Sequence, residues 1–133
     1  MINTVSIYGL GYIGLPTAAV LASNGVNVIG VDINQEVVDT INSGKIHIEE
    51  PFLEDIVNDV VDSGYLNATT KPEEADAFLI AVPTPFIESS SADDPKPDLT
   101  YIKSACENIS TVLKKEDIVI IESTSPVGTT EKV

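Results

Sequence analysis

Residues 5–16 read VSIYGLGYIGLP and contain the pattern that sets the architecture of the chain. Residues 5–9 are β-rich and mostly apolar and residues 16–23 have a helical composition, so the sequence predicts strand, glycine turn and helix. The turn has the form GxGxxG through Gly9, Gly11 and Gly14. In this setting Gly9 permits a tight turn, Gly11 lets a pyrophosphate approach the backbone, and Gly14 lets the helix pack on the strand. The N–H groups of the helix N-terminus then favour an anion.

A carboxylate ends the next predicted strand, residues 26–32 (VNVIGVD). Asp32 follows Gly14 at about the spacing at which such a carboxylate accepts hydrogen bonds from the ribose hydroxyls of adenosine. It also repels a 2′-phosphate, and residues 33–36 contain no arginine, so the pattern predicts NAD rather than NADP as the cofactor. The alternative is structural: the glycines only form a turn and Asp32 only caps a helix.

Helices and strands alternate along the rest of the chain. Asn34 resembles the N-cap of a helix through Ile41 that stops at Gly44, and another helix is predicted from Pro51 to the break at residues 63–64. The remaining predicted elements are a weak strand at 66–70, an apolar strand at 77–82, a polar loop at 87–97, a helix at 99–113, a strand at 118–121 and a helix starting at Thr129 and Thr130. This order predicts an α/β fold, a Rossmann-type doubly wound parallel sheet in a single domain over residues 1–133.

Hydroxyl-bearing residues follow two of the predicted strands. Val82, Pro83 and Thr84 come at the end of the strand at 77–82, and Ser123 and Thr124 follow the strand at 118–121. Ligands bind at the carboxyl ends of the strands in such sheets, so these residues are candidates for contact with cofactor or substrate. The alternatives are a rigid proline turn in the first case and helix capping in the second.

The charge balance excludes several classes of partner. With 21 acidic against 7 basic residues, the formal net charge is -14, and the chain repels nucleic acid and anionic lipid. An anionic cofactor must therefore be held by local backbone N–H groups. No apolar run is long enough to span a membrane, and the N-terminus does not resemble a secretion signal, so we expect a cytoplasmic protein with no membrane or nucleic-acid partner.

Neither His47 nor Cys106 is expected to take part in catalysis or metal binding. His47 is the sole histidine and has no nearby cysteine, so no local metal site is expected and His47 is interpreted as structural or surface-exposed. Cys106 is also unique, which excludes an intrachain disulfide and is typical of a reducing compartment. With no histidine beside it, Cys106 is interpreted as a small buried apolar residue rather than a nucleophile.

Six motifs together carry a resemblance to a known family. They are GLGYIGLP (9–16), VDIN (31–34), IEEPFLEDIV (48–57), AVPTPF (81–86), KPDLTYI (96–102) and ESTSPVGTTEK (122–132). In this combination the chain resembles the UDP-glucose/GDP-mannose dehydrogenase family along essentially its whole length. The resemblance implies an NAD-dependent enzyme that oxidises the primary alcohol of a UDP-sugar through an aldehyde to a uronic acid, by two hydride transfers.

The resemblance also implies roles for individual residues. Tyr12 and Ile13 would meet the pyrophosphate through their backbone, Asp32 the adenosine ribose, and Thr84 and Thr124 the nicotinamide side, with Thr124 in a supporting catalytic role. Further cofactor-binding candidates are Gly9, Gly11, Gly14, Val82, Pro83, Ser123 and Thr130.

The family's nucleophilic cysteine, catalytic lysine and substrate-binding domain lie C-terminal to the matched segment. We therefore expect a truncated chain that binds NAD without turnover, from a longer protein that forms a homodimer or a higher oligomer. UDP-glucose 6-dehydrogenase or another UDP-sugar dehydrogenase is one alternative, and a Rossmann dehydrogenase of the 6-phosphogluconate or hydroxyacyl type is another. An alternative of another class is a stand-alone NAD-sensing module.

Overall fold

Five parallel strands form the centre of the computed structural model, which describes residues 1–88 and 91–133. The strands are β1 (Thr4–Tyr8), β2 (Asn27–Val31), β3 (Leu66–Thr69), β4 (Ala77–Ile80) and β5 (Ile118–Ile121). Their order in the sheet is β3-β2-β1-β4-β5, and each adjacent pair is parallel. The strand order reverses at β1, as in a doubly wound Rossmann-type sheet, which confirms the predicted fold class.

Helices occupy most of the connections between these strands. They are α1 (Gly14–Ser23), α2 (Gln35–Asn42), α3 (Leu53–Asp62), α4 (Thr100–Ser110) and α5 (Thr129–Lys132). α1 joins β1 to β2, α2 and α3 lie between β2 and β3, α4 precedes β5, and α5 follows it. Such crossovers let successive strands run in the same direction, so their carboxyl ends meet at one edge of the sheet.

The ends of α2 lie where the sequence predicts them. The Asn34 side chain accepts a hydrogen bond from the backbone N–H of Glu36 at 3.0 Å and so caps the helix. Gly44 follows the C-terminus with a φ of +80°, a conformation that glycine adopts without steric cost. Both predictions for this helix are confirmed.

Several other predicted boundaries are wrong by a few residues. The helix expected from Pro51 begins at Leu53, because Phe52 has a φ of 64° that is incompatible with the helix. The strand expected over 77–82 ends at Ile80, and the helix expected over 99–113 ends at Ser110. The predicted polar loop at 87–97 includes residues 89 and 90, which lie outside the described residues.

Two apolar clusters cover opposite faces of the sheet. Alternate residues of one strand point to opposite faces, so Ile7 of β1 belongs to one cluster and Tyr8 to the other. The first cluster includes side chains from α1, α2 and α3, and the second includes Ile102 and Ile109 of α4. Helices therefore pack on both faces, as the doubly wound arrangement requires.

The sheet ends at β5, where Ile118 and Ile120 are 46% and 48% exposed. The core thus lies around β1, β2 and β4, and the carboxyl ends of these three strands carry the residues of the candidate site. No helix in the described part of the chain is long and apolar enough to cross a membrane.

Candidate functional site

The glycine turn after β1 is built by close packing at two of its glycines. Gly9 has a φ of +93°, and its N–H donates to the Val31 carbonyl oxygen at 2.8 Å. A Cβ on Gly9 would lie 2.5 Å from the carbonyl oxygen of Ala81, and a Cβ on Gly14 would overlap the Gly9 carbonyl oxygen. Glycine at these two positions is therefore required by the fold itself.

Gly11 differs from these two glycines. Apart from its own chain neighbours, no protein atom lies within 4 Å of a Cβ built on Gly11, and its φ is outside the left-handed region. Neither packing nor backbone conformation explains a glycine there. Close approach of a group from outside the protein does explain it, because a Cβ would fill the space that this group occupies.

The N-terminus of α1 lies beside Gly11 and has unsatisfied donors. Its N-cap residue, Ile13, provides no side-chain cap, and the first turn contains no acidic residue. Within residues 1–88 and 91–133, the N–H groups of Gly11, Tyr12 and Ile13 donate to no protein acceptor. Free N–H groups and the positive end of the helix dipole together suit a phosphate.

Asp32 is tied to the glycine turn by a hydrogen bond. Its Oδ2 accepts from the backbone N–H of Leu10 at 3.0 Å, and its Oδ1 accepts from the N–H of Asn34 at 2.9 Å. These bonds fix the orientation of a half-buried carboxylate at the end of β2. Each carboxylate oxygen retains a second lone-pair site, so Asp32 can still accept from a pair of sugar hydroxyls.

A cavity of about 410 Å³, here named the turn cavity, opens over this arrangement. It is lined by Gly9, Leu10, Gly11, Tyr12, Ile13, Asp32, His47, Ala81, Val82, Pro83, Thr84, Ser123 and Thr124. The structure thus brings together ten of the residues predicted from sequence. Gly14 lies buried beneath the turn, and Thr130 is exposed on α5, so neither lines the cavity.

The three Ser and Thr residues of the turn cavity have different environments. Ser123 is 8% exposed, and its Oγ lies 2.9 Å from the Val82 carbonyl oxygen and 3.1 Å from that of Ile80. The Ser123 hydroxyl therefore donates into the end of β4 and holds two strand ends together. Among the described residues, the Thr84 and Thr124 hydroxyls have no hydrogen-bond partner, so both remain available to a ligand.

A second cavity of about 430 Å³, here named the α4 cavity, lies on the other side of Asp32. Gly9, Asp32, Val82 and Pro83 line both cavities. The other lining residues are Tyr8, Val31, Ile33, Thr70, Pro72, Thr100, Tyr101, Ser104, Ala105 and Asn108. Burial raises the pKa of Tyr8 to about 12, so this side chain stays neutral.

Sequence reasoning missed the α4 cavity. A signal for it exists, because Tyr101, Ser104, Ala105 and Asn108 recur at helical spacing and so share one face of α4. The topology then places that face against the ends of β1 and β2. The α4 cavity and the turn cavity share Asp32 and three other lining residues, so they adjoin each other at the end of β2.

The two residues interpreted as structural differ in position. His47 is exposed and lines the turn cavity, which the sequence interpretation did not foresee. Cys106 is half-buried, packs against the cluster on the α4 side and lines neither cavity. Burial raises the pKa of the Cys106 thiol, which disfavours the thiolate. In the described part of the chain, no group of His, Cys, Asp and Glu side chains could hold a metal ion.

Comparisons with known proteins give this site its context. Residues 3–133 match the model of the UDP-glucose/GDP-mannose dehydrogenase family, NAD binding domain. Two relatives are each 62% identical: UDP-N-acetyl-D-mannosamine dehydrogenase of Campylobacter jejuni and NDP-N-acetyl-D-galactosaminuronic acid dehydrogenase of Ralstonia nicotianae. Each alignment covers 98% of this chain, and 31% and 30% of the respective relative.

A solved structure is similar over the same region. The UDP-N-acetyl-mannosamine dehydrogenase from S. aureus superposes with a TM-score of 0.91 at 41% identity, over 96% of this chain and 30% of that one. The chain thus spans about a third of the length of the relatives that it matches. Since the family model covers nearly every residue, the chain belongs to the UDP-glucose/GDP-mannose dehydrogenase family and corresponds to its NAD-binding domain.

Proposed function

We propose that this chain is the cofactor-binding part of an NAD-dependent dehydrogenase that oxidises UDP-N-acetylmannosamine to UDP-N-acetylmannosaminuronate. The observation that carries the proposal is the glycine turn with Asp32 between two cavities, in a chain 62% identical to a UDP-N-acetyl-D-mannosamine dehydrogenase. The motifs VDIN (31–34), AVPTPF (81–86) and ESTSPVG (122–128) resemble the same enzyme. We place the enzyme in the cytoplasm, as a homodimer or higher oligomer.

Different residues of the site bind different parts of the dinucleotide. The N–H groups of Tyr12 and Ile13 bind the pyrophosphate, because they are free donors at the N-terminus of α1. Asp32 would accept from the adenosine ribose hydroxyls, and the α4 cavity beside Asp32 supports a position for the adenine there. The nicotinamide then lies toward Thr84 and Thr124, whose hydroxyls orient the ring.

Bound NAD supplies the hydride acceptor for each of the two oxidation steps. The contribution of this chain is to bind the cofactor and to orient it toward the sugar. Asp32 also selects the cofactor, because a 2′-phosphate would meet the carboxylate that Leu10 and Asn34 hold in place. We propose that the sugar-binding residues and the groups that move protons lie C-terminal to these residues, in the longer protein.

A second candidate substrate is an N-acetylgalactosamine nucleotide. The Ralstonia nicotianae relative, with a name that refers to N-acetyl-D-galactosaminuronic acid, is 62% identical as well. Both relatives are named for N-acetylated sugars, which favours an N-acetylated substrate over UDP-glucose.

The test is turnover by the full-length protein with UDP-N-acetylmannosamine, UDP-N-acetylgalactosamine and UDP-glucose as separate substrates. We expect NADH formation with UDP-N-acetylmannosamine in a ratio of two NADH per sugar, and a uronate product by mass spectrometry. A preference for UDP-N-acetylgalactosamine would support the second candidate. NAD binding without oxidation of any of the three would favour a sensing module and contradict the proposal.

A further inference from the structure

His47 lies in a segment that the fold directs toward the turn cavity. Its neighbours Ile46 and Ile48 are half-buried and pack against the cluster formed with α1, α2 and α3. His47 between them is exposed and lines the turn cavity together with Gly11, Tyr12 and other residues of the glycine turn. His47 therefore borders the cavity in which the pyrophosphate site is proposed.

The segment is anchored on both sides of His47. On one side, the Glu49 backbone N–H donates to the Tyr12 hydroxyl oxygen at 3.4 Å, which ties the segment to the glycine turn. On the other side, the Gly44 carbonyl oxygen accepts from the side-chain amide of Asn58 in α3 at 3.5 Å. The placement of His47 over the cavity thus follows from contacts of the fold rather than from a loose loop.

Basic side chains are scarce around the two cavities. The chain has a net charge of -14, and among the described residues none of its seven Lys and Arg side chains lines either cavity. His47 is, within that part of the chain, the one Lys, Arg or His side chain that lines either cavity. A pyrophosphate carries negative charge, and an imidazole N–H is a donor for its oxygens.

Apart from Lys45, which lines neither cavity, the other charged groups near His47 are acidic. Asp32 lines the same cavity, although its carboxylate accepts from Leu10 and Asn34, and Glu49 and Glu50 are exposed farther along the segment. Without a compensating donor, these carboxylates would oppose an anionic ligand. The His47 imidazole supplies such a donor at the cavity.

We propose that His47 binds the cofactor, donating a hydrogen bond from its imidazole to the pyrophosphate beside the N–H groups of Tyr12 and Ile13. This inference rests on the proposed function, because it assumes the dinucleotide in the turn cavity. It adds a side-chain contact to a pyrophosphate site otherwise built from backbone donors.

The experiment is calorimetric titration of this chain and two variants with three ligands: NAD+, ADP-ribose and adenosine. The variants are His47→Ala and, as a matched control, Lys45→Ala, which removes a positive charge from the same segment outside the cavity. We expect His47→Ala to weaken NAD+ and ADP-ribose about ten-fold, the cost of one hydrogen bond to a charged group. Adenosine lacks the pyrophosphate, so its affinity should be unchanged, and Lys45→Ala should bind all three ligands like the wild type.

Different failures have different meanings. If His47→Ala binds NAD+ and ADP-ribose like the wild type, or if it weakens adenosine to the same extent, the contact with the pyrophosphate is wrong. An equal loss in Lys45→Ala would assign the effect to general charge and would also overturn it. If the wild-type chain binds none of the three ligands, the proposed cofactor site itself fails, which is a separate outcome.

Discussion

The Gly11→Ala variant is expected to weaken NAD+ binding without destabilising the fold. A Cβ on Gly11 meets no protein atom within 4 Å, and the backbone there is outside the left-handed region. The substitution should therefore leave stability unchanged or raise it by about 0.4–1 kcal/mol, because alanine restricts the unfolded chain. In the proposed site, the same methyl group would occupy the space through which the pyrophosphate reaches the N–H groups of the turn.

The expected loss of affinity follows from those donors. If the methyl group keeps the pyrophosphate from one N–H group, the loss is about 1.5–3 kcal/mol, or about ten-fold to a hundred-fold in Kd. Calorimetric titration with NAD+ measures the affinity, and thermal unfolding measures the stability of the same preparation. The prediction is a variant that folds as well as the wild type and binds poorly.

Gly14→Ala is the matched control for this prediction. Its Cβ would overlap the Gly9 carbonyl oxygen, so the helix must shift, and we expect a loss of about 1–3 kcal/mol of stability. Gly11→Ala with wild-type affinity for NAD+ would refute the reasoning, because the glycine would then have no role toward the ligand. An unfolded Gly11→Ala would refute it equally, since the open space around the Cβ would not describe the native turn.

Three further substitutions test other parts of the account. Asp32→Ala should weaken NAD+ about ten-fold and reduce the preference over NADP+, measured by parallel titrations, because the ribose acceptor and the repulsion of a 2′-phosphate are both lost. Ser123→Ala should lower the free energy of unfolding by about 1 kcal/mol in urea while changing NAD+ affinity little, because its hydroxyl donates into the end of β4. Asp76 accepts hydrogen bonds from the backbone N–H groups of Asn3 and Thr4, and these bonds lower its pKa below 3.8. The contribution of Asp76 to folding stability is therefore complete above pH 3.8 and is lost as the pH falls through the lowered pKa. In Asp76→Asn, the stability should therefore decrease less steeply with falling pH than in the wild type, as measured by circular dichroism. The same pH dependence as in the wild type would contradict this assignment.

The parts of the site that lie in one short segment could be predicted from the sequence. The glycine turn and Asp32 are adjacent to strands whose apolar character is local, so their positions follow once β1 and β2 are recognised. Thr84 and Thr124 follow from the rule that the carboxyl ends of parallel strands meet at one edge. Their contact with a cofactor stays a prediction that the titrations must test.

The parts that depend on long-range packing could not be predicted. The segment that carries His47 to the turn cavity is held in part by the Tyr12 hydroxyl, a contact across 37 residues that no local pattern shows. The α4 cavity arises where one face of a helix meets the ends of strands far away in sequence. The start of α3 was misplaced for a different reason, since the left-handed conformation of Phe52 is uncommon for a residue that is not glycine.

The most direct test of the central claim is calorimetric titration of the 133-residue chain with NAD+ and, separately, with NADP+. We expect saturable binding of NAD+ and much weaker binding of NADP+, because the Asp32 carboxylate, held by Leu10 and Asn34, would repel a 2′-phosphate bound beside it. Equal binding of the two cofactors would contradict the role of Asp32. The absence of binding to either would contradict the claim that the glycine turn, Asp32 and the two cavities of this chain form the NAD site.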